Sequence, residues 1–190
     1  IVQIIQKQLP EYLNNLFGSL IHEGSVGKGN WAAVPWIASM DENLTTTVSE
    51  GVYLVFLFCA DGSGVYMTMA QGTGGIEKLK NKKINSIRRE KILSVIDTPS
   101  EILMEKGQLP SGSLKAGNNA RAKAYEKSVI LWKYYSRSEL DKIQDNSILE
   151  VFHPLASTYL SVERILNEGK VNDTISNSLD SYIEHCKNSD

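Results

Sequence analysis

The sequence of 190 residues is poor in the side chains that build catalytic and metal centres. It holds two cysteines and three histidines, and no histidine stands beside a cysteine or carboxylate at the spacing of metal ligands. Neither a Gly-x-Ser-x-Gly elbow nor a cysteine nucleophile signature occurs. Acidic residues are also scarce on the apolar segments. The sequence therefore predicts no catalytic residue, no metal and no cofactor in this chain, and an enzyme is not the leading hypothesis.

Long apolar segments are missing as well. No run of about 18 apolar residues could span a membrane, and no short apolar stretch follows a basic amino end as in a signal peptide. Two cysteines without a disulfide framework favour a reducing compartment, so we expect a cytoplasmic protein. The length and 42% hydrophobic content fit one domain. We place this domain at residues 1–170 and a terminal helix or linker at residues 171–190.

The charge is distributed unevenly, although the net charge is only −2. Residues 1–74 carry two basic and six acidic side chains (−4), residues 75–137 carry fourteen and six (+8), and residues 138–190 carry four and ten (−6). Clustered lysine and arginine supply most of the non-specific affinity for nucleic acid, so the middle segment is a candidate DNA-binding surface. A solvated helix face without a partner is the alternative interpretation.

The hydrophobic patterns predict an α+β fold, in which a small, mostly antiparallel sheet is flanked by helices at both ends. The predicted helices cover residues 1–17, 76–96, 147–166 and 174–187, and the predicted strands cover residues 20–23, 34–40, 51–59, 65–69 and 127–135. The second to fourth strands form a meander over residues 34–71.

Several local features are also predicted. Two helical segments should meet near Leu9, because Pro10 removes a backbone donor, and Pro154 should kink its helix. We expect a helical turn over residues 100–106, a loop over residues 107–119, and a capping box that starts at Ser138.

A glycine-rich loop over residues 24–30 precedes two tryptophans. Its spacing does not match a P-loop, because only two residues separate Gly24 from the Gly27-Lys28 pair. Phosphate or nucleic-acid contact through backbone amides and Lys28 remains possible, and a plain turn is the alternative. The neighbouring rings, Trp31 and Trp36 with Tyr53 in the next strand, could hold a planar group such as an extruded base. Packing of a sheet core is the simpler interpretation.

This stretch resembles the amino-terminal domain of McrB-type modification-dependent restriction proteins. The motifs that carry the resemblance are Gly27-Lys28-Gly29-Asn30-Trp31, Val34-Pro35-Trp36-Ile37-Ala38, Glu50-Gly51-Val52-Tyr53-Leu54-Val55-Phe56-Leu57-Phe58 and Val65-Tyr66-Met67-Thr68-Met69-Ala70-Gln71-Gly72. Tyr125-Glu126 and Lys133-Tyr134-Tyr135 are similar to a later segment of the family.

The resemblance implies a DNA-recognition module that binds double-stranded DNA containing methylated cytosine and flips the modified base into a pocket. It also implies that the complete protein carries a GTP-hydrolysing motor and works with a separate nuclease subunit. Trp36, Tyr53 and Leu57 are the implied pocket walls, Trp31 is a further candidate, and the closing aromatic is Tyr125, Trp132 or Tyr134. The expected DNA contacts are Gly27, Lys28, Gly29, Asn30, Lys82, Lys83, Arg88, Arg89, Arg121 and Lys123.

Two other classes of function stay open. A protein-interaction module would use the basic segment against an acidic partner, and an enzyme acting on a modified nucleoside would need an acid or nucleophile that converges on the pocket. Absence of binding to every DNA probe would favour the protein-interaction module. Turnover of a modified nucleoside without any partner would reveal the enzyme.

Overall fold

The computed structural model describes residues 2–27, 31–74, 79–96, 104–142 and 152–162, without the side chains of residues 79–82 and 84. The predicted α+β architecture is confirmed. Six antiparallel strands form one sheet, and helices precede the first strand and follow the last strand in the sequence. Across these ranges no helix is both long enough and apolar enough to cross a bilayer.

The sheet has the strand order β1-β2-β3-β4-β6-β5. The strands are β1 (Ile21–Ser25), β2 (Trp36–Met40), β3 (Val52–Phe58), β4 (Gly64–Gln71), β5 (Glu105–Lys106) and β6 (Val129–Ser136). The helices are a π-helical turn (Ile4–Gln8), α1 (Leu9–Leu16), α2 (Leu79–Val95), α3 (Ala120–Ser128), α4 (Arg137–Leu140) and α5, which is helical over residues 152–162.

The first helical run changes its geometry next to Pro10. The π-helical turn ends where the Leu9 N–H donates to the Ile4 carbonyl. Pro10 then lies in the first turn of α1, within a helical run that continues from residue 2 to Leu16. The π-helical turn lies just before this residue, whose missing N–H interrupts the helical hydrogen bonds. The predicted junction of two helical segments near Leu9 is therefore confirmed.

The predicted meander is confirmed as β2, β3 and β4. Strands β3 and β4 pair from Val52 opposite Gln71 to Phe58 opposite Val65. Their turn contains Gly62 at φ +72°, and the Asp61 carboxylate accepts the Ser63 N–H at 2.9 Å. A glycine is suited to this positive φ, which explains how the Asp-Gly pair fixes the register.

Two local predictions are wrong. Glu105 and Lys106 form strand β5 instead of the end of a helical turn, because they pair with Trp132 and Leu131 on the edge of β6. The capping box uses Ser136 with Glu139 rather than Ser138 with Asp141, since β6 continues to Ser136 and α4 starts directly after it.

Other boundaries differ by one or a few residues. Strand β1 is Ile21–Ser25, and β6 begins at Val129 because α3, capped by the Asn119 side chain, continues to Ser128. The predicted helix 174–187, residues 147–151 and 163–166 of the preceding helix, and residues 100–103 lie outside the described part of the chain.

The sheet separates two cores, which we name the helix face and the loop face. The helix face is covered by α2 and α5 and contains Leu54, Met67, Met69, Ile92, Phe152, Leu155 and Tyr159. The loop face is covered by α3 and residues 107–119 and contains Ala38, Tyr53, Val55, Leu57, Tyr66, Leu109, Leu114 and Ala122. This division follows the two-residue period of the strands.

Candidate functional site

A row of large side chains crosses the loop face. Trp36 lies opposite Leu57, Leu57 lies opposite Tyr66, and Tyr66 lies opposite Tyr134. Directly opposed residues bring their Cβ atoms within about 4.5–5.5 Å, so these four side chains are neighbours on one surface. The sheet thus joins two predicted wall residues, Trp36 and Leu57, which are 21 positions apart in the sequence.

Tyr53 forms the buried base of this region. Its side chain is 4% exposed, and its hydroxyl donates to the Val48 carbonyl at 3.0 Å. Burial, followed by the nearby Tyr125 hydroxyl, raises the pKa of Tyr53 well above its ordinary value. The phenol is therefore neutral at physiological pH, and its ring is held against the sheet.

Tyr125 lies over the row from helix α3. Burial raises the pKa of the Tyr125 hydroxyl, while Arg121 and the Trp36 side chain, both within hydrogen-bonding reach of it, act in the opposite direction. Tyr125 is half-buried, as is Trp36. Of the three aromatics considered for closing the pocket, Tyr125 is thus the one that touches both Trp36 and the Tyr53 region.

Trp132 and Tyr134 pack around Tyr66 at the far end of the row from Trp36. The Tyr66 ring contacts Trp132 with centroids 5.7 Å apart and Tyr134 with centroids 4.7 Å apart. The Tyr134 hydroxyl donates to the Ser63 carbonyl at 3.1 Å. Both rings therefore pack around Tyr66, further along the sheet from Trp36.

A comparison with protein families gives a match that covers most of this chain. The description "MrcB-like, N-terminal domain" matches residues 1–162. The chain belongs to the MrcB-like N-terminal domain family. The resemblance seen in the sequence is thereby confirmed, and the boundary placed at residue 170 stays a prediction. A comparison with curated proteins finds no match.

The glycine loop of this MrcB-like domain is closed at its base. The Ala32 N–H donates to the Val26 carbonyl at 2.7 Å, and Gly27 has a φ of +105°. Trp31 is 72% exposed, in contrast to the buried Tyr53 and Leu57. Lys28, Gly29 and Asn30 lie outside the described residues, so their predicted contacts stay predictions.

Gly24 belongs to strand β1 rather than to the loop. A Cβ atom on Gly24 would lie only 1.8 Å from the Ile5 carbonyl oxygen. This glycine therefore permits close packing of β1 against the π-helical turn and is unavailable to a ligand.

Arg89 of α2, one of the predicted DNA contacts, is bonded to groups of α3 and of the loop over residues 107–119. The helix packs on the helix face through Ile92 and Ile96. Arg89 donates to the Lys127 carbonyl at 3.0 Å. The Gln108 amide, oriented with its oxygen toward Arg89, accepts from both terminal guanidinium nitrogens at 2.8 and 3.0 Å.

Arg88 is partly buried. Desolvation lowers the pKa of Arg88, and the carboxylate of Glu50 opposes this shift. Lys83 is exposed, and the side chain of Lys82 is outside the described part. In contrast, Arg121 and Lys123 are exposed on α3, beside the loop face.

Glu126 is a site residue that sequence reasoning did not single out. It is 5% exposed, and its carboxylate accepts the Gly112 N–H at 3.2 Å and the Leu114 N–H at 3.1 Å. This carboxylate fastens the loop over residues 107–119 to α3. The sequence shows the Tyr125-Glu126 motif but not the backbone partners of this carboxylate.

A separate cavity of about 390 Å³ lies on the helix face. Its lining includes Leu9, Leu13, Phe56, Phe58 and Tyr135. None of the residues predicted for the base pocket contributes to it. The cavity and the aromatic row are therefore distinct regions on opposite sides of the sheet.

Proposed function

We propose that this domain is the DNA-recognition module of a modification-dependent restriction system and binds duplexes that contain modified cytosine, with methylcytosine as the first candidate. The modified base would be flipped out of the duplex and held at the loop face. Membership of the MrcB-like N-terminal domain family supports the general assignment. The observation that carries the site is the convergence of Trp36, Leu57 and Tyr125 from two strands and a helix.

The chemistry of these side chains suits an extruded base. A flipped base is held between aromatic or apolar walls and is read along its polar edge. Trp36 and Tyr125 supply half-buried rings with polar tips, while Leu57 and Tyr53 supply a buried floor. Because Arg121 reaches the Tyr125 hydroxyl, a guanidinium also stands at the same place for contact with the base edge or its phosphate.

The proposal assigns binding to this domain and no covalent chemistry. Cleavage would require the GTP-hydrolysing motor and the separate nuclease subunit that the resemblance implies. Among the described residues, no three His, Cys, Asp or Glu side chains are grouped so that they could hold a metal ion.

The first test is fluorescence anisotropy with three matched duplexes that contain cytosine, methylcytosine or hydroxymethylcytosine at one position. We expect tighter binding to a modified duplex and loss of this preference in Trp36→Ala. Loss of one stacking ring should weaken binding of the modified duplex by about 1–3 kcal/mol. Tyr12→Ala is the matched control, since Tyr12 is an exposed ring of α1.

A second readout tests base flipping directly. A 2-aminopurine placed next to the modified cytosine should brighten on binding, because extrusion of its neighbour removes stacking. Equal binding of the wild-type domain to all three duplexes would contradict modified-base recognition. Absence of binding to any duplex would point to a protein partner, and turnover of a modified nucleoside would point to an enzyme.

A further inference from the structure

Exposed cations lie on helix α3 and on the loop before it. Lys115 precedes the helix, and Arg121 and Lys123 lie in its first turn. Residues two apart lie on nearly opposite sides of a helix, so Arg121 and Lys123 border the exposed side of α3 from its two edges, with the buried Ala122 between them on the inner side. Arg121 reaches Tyr125, which connects this charged surface to the proposed base pocket.

The loop that carries Lys115 is firmly anchored. Leu114, immediately before it, is fully buried, donates its N–H to Glu126 at 3.1 Å and accepts the Ala60 N–H at 2.9 Å. Lys115 itself has a φ of +55°, a conformation that L residues other than glycine seldom adopt. These anchors therefore fix the direction in which an exposed lysine leaves the loop.

The charges around this surface leave it cationic. Lys123 Nζ donates to the Asn118 amide oxygen at 3.2 Å, and this partner is neutral. Asp61, at the tip of the β3–β4 hairpin, is the acidic neighbour of Lys115. The carboxylate of Glu126 is buried and bonded to two backbone N–H groups. Three exposed cations thus face one exposed carboxylate.

The two arginines of α2 are partly buried, unlike the exposed cations around α3, and interact with groups of the domain itself. Arg89 is bonded to the Lys127 carbonyl, and Arg88 is partly buried beside Glu50. Using either arginine for a phosphate contact would require leaving interactions within the domain. Around α3, Lys123 has the neutral Asn118 amide as its partner and Arg121 interacts with the Tyr125 hydroxyl, and both cations stay exposed.

We propose that Lys115, Arg121 and Lys123, together with Asn118, form a phosphate-contacting rim, and that the DNA backbone crosses residues 115–119 and the exposed side of α3 rather than α2. This inference rests on the proposed function in taking DNA as the partner. It adds the path of the backbone and assigns Lys115 and Asn118 to it. The rim supplies sequence-independent affinity, while the aromatic row supplies discrimination.

The test measures the salt dependence of binding for a Lys115→Gln plus Lys123→Gln variant, on modified and unmodified duplexes. Glutamine keeps most of each side chain and removes the charge. Each lost phosphate contact should reduce the slope of log K against log salt by about 0.9. We therefore expect a decrease of about 1.8 in the double variant, with the same fold loss of affinity for both duplexes.

Two variants serve as controls. Lys7→Gln plus Lys142→Gln removes two exposed lysines outside α3 and its loop, and its slope should equal that of the wild type. Arg88→Gln plus Arg89→Gln should also keep the wild-type slope and should melt at a lower temperature, because Arg89 joins α2 to the end of α3.

The results test the rim and the proposed function separately. A wild-type slope in the Lys115 and Lys123 variant, or a reduced slope in the Arg88 and Arg89 variant, would overturn the rim. A reduced slope in the rim variant, with no preference for modified DNA in the wild type, would support the rim and contradict the proposed function. If the wild type binds no duplex but binds an acidic protein, both proposals fail.

Discussion

The two faces of the sheet differ in their aromatic residues, although tyrosine occurs on both, since Tyr135 and Tyr159 lie on the helix face. All four phenylalanines of the chain, Phe17, Phe56, Phe58 and Phe152, belong to the clusters on the helix face. The loop face instead holds Trp36, Tyr53, Tyr66, Tyr125, Trp132 and Tyr134. Tryptophan and tyrosine combine an apolar ring with a polar tip, whereas phenylalanine offers packing alone.

Phe152 on the helix face and the rings of Trp36 and Tyr125 on the loop face also differ in how deeply they are buried. Phe152 is 1% exposed, and its ring lies 4.6 Å from Phe17 and 5.8 Å from Phe56 between centroids. Trp36 and Tyr125 are half-buried, and the Trp36 side chain interacts with the Tyr125 hydroxyl. The helix face therefore closes Phe152 off from solvent, whereas the loop face leaves two rings partly exposed, which suits the ligand proposed for it.

We expect the largest difference between the two faces from Phe152→Ala, which should reduce stability without changing the preference among duplexes. Removal of a buried phenyl ring should lower the free energy of unfolding by about 3–5 kcal/mol, because it leaves a cavity against Phe17 and Phe56. Urea unfolding measures this change. The fraction that remains folded should keep its preference among the three duplexes, since no residue of the aromatic row is altered.

Leu160→Ala is the matched control on the same helix. Leu160 is 40% exposed, so its truncation should change the free energy of unfolding by no more than about 0.5 kcal/mol. An equal loss in both variants would show that the Phe152 cluster is not the main support of the helix face.

The sequence predicted the fold best where one local pattern dominates. Strands β3 and β4 were found because a long β-branched and aromatic run is followed by an Asp-Gly turn. Strand β5 was missed because two polar residues, Glu105 and Lys106, carry no strand pattern and are paired only through the edge of β6. Tertiary pairing of this kind cannot be read from local periodicity.

The candidate site was predictable in part for the same reason. Trp36, Tyr53 and Leu57 were named from the motifs that carry the resemblance. For the aromatic that closes the pocket, the sequence did not distinguish Tyr125 from Trp132 and Tyr134. The position of α3 over β2, which favours Tyr125, depends on contacts between segments far apart in the chain. The role of Glu126 was equally invisible, because its partners are backbone N–H groups of a loop.

A smaller effect is expected from Tyr159→Phe on the helix face. The Tyr159 hydroxyl accepts the Asp41 N–H at 2.9 Å and donates to the Val52 carbonyl at 3.0 Å. Phenylalanine leaves these buried backbone groups without the hydroxyl, which should cost about 1–3 kcal/mol. Urea unfolding should show this loss, and Tyr12→Phe, with an exposed ring, should show none. A neutral Tyr159→Phe would mean that water replaces the hydroxyl.

Tyr53→Phe makes the corresponding change on the loop face and should cost less. Its hydroxyl has one backbone partner, the Val48 carbonyl, so we expect a loss of about 0.5–1.5 kcal/mol. The preference for modified DNA should persist because the ring is retained. A loss of preference without a loss of stability would instead assign the Tyr53 hydroxyl to base recognition and sharpen the contrast between the faces.

The smallest effect concerns the pH dependence of stability through His22. Its Nε2–H donates to the Phe17 carbonyl at 3.1 Å, and Nδ1 accepts from the Ser39 hydroxyl at 2.8 Å. Desolvation lowers the pKa of His22 below its ordinary value of 6.5, and the bond to Phe17 opposes this shift only in part. The folded chain therefore binds fewer protons than the unfolded chain in this range.

Stability from His22 is complete above pH 6.5, the ordinary value, and is lost as the pH falls below it. The unfolding midpoint should consequently fall more between pH 7.5 and 5.5 in the wild type than in His22→Gln, and thermal melts at both pH values measure the difference. Equal falls would assign the pH dependence to other groups. Because His22 joins Phe17 to Ser39 and touches no ring of the loop face, the preference among duplexes should stay constant over the same range, so pH separates the stability of the fold from discrimination by the site.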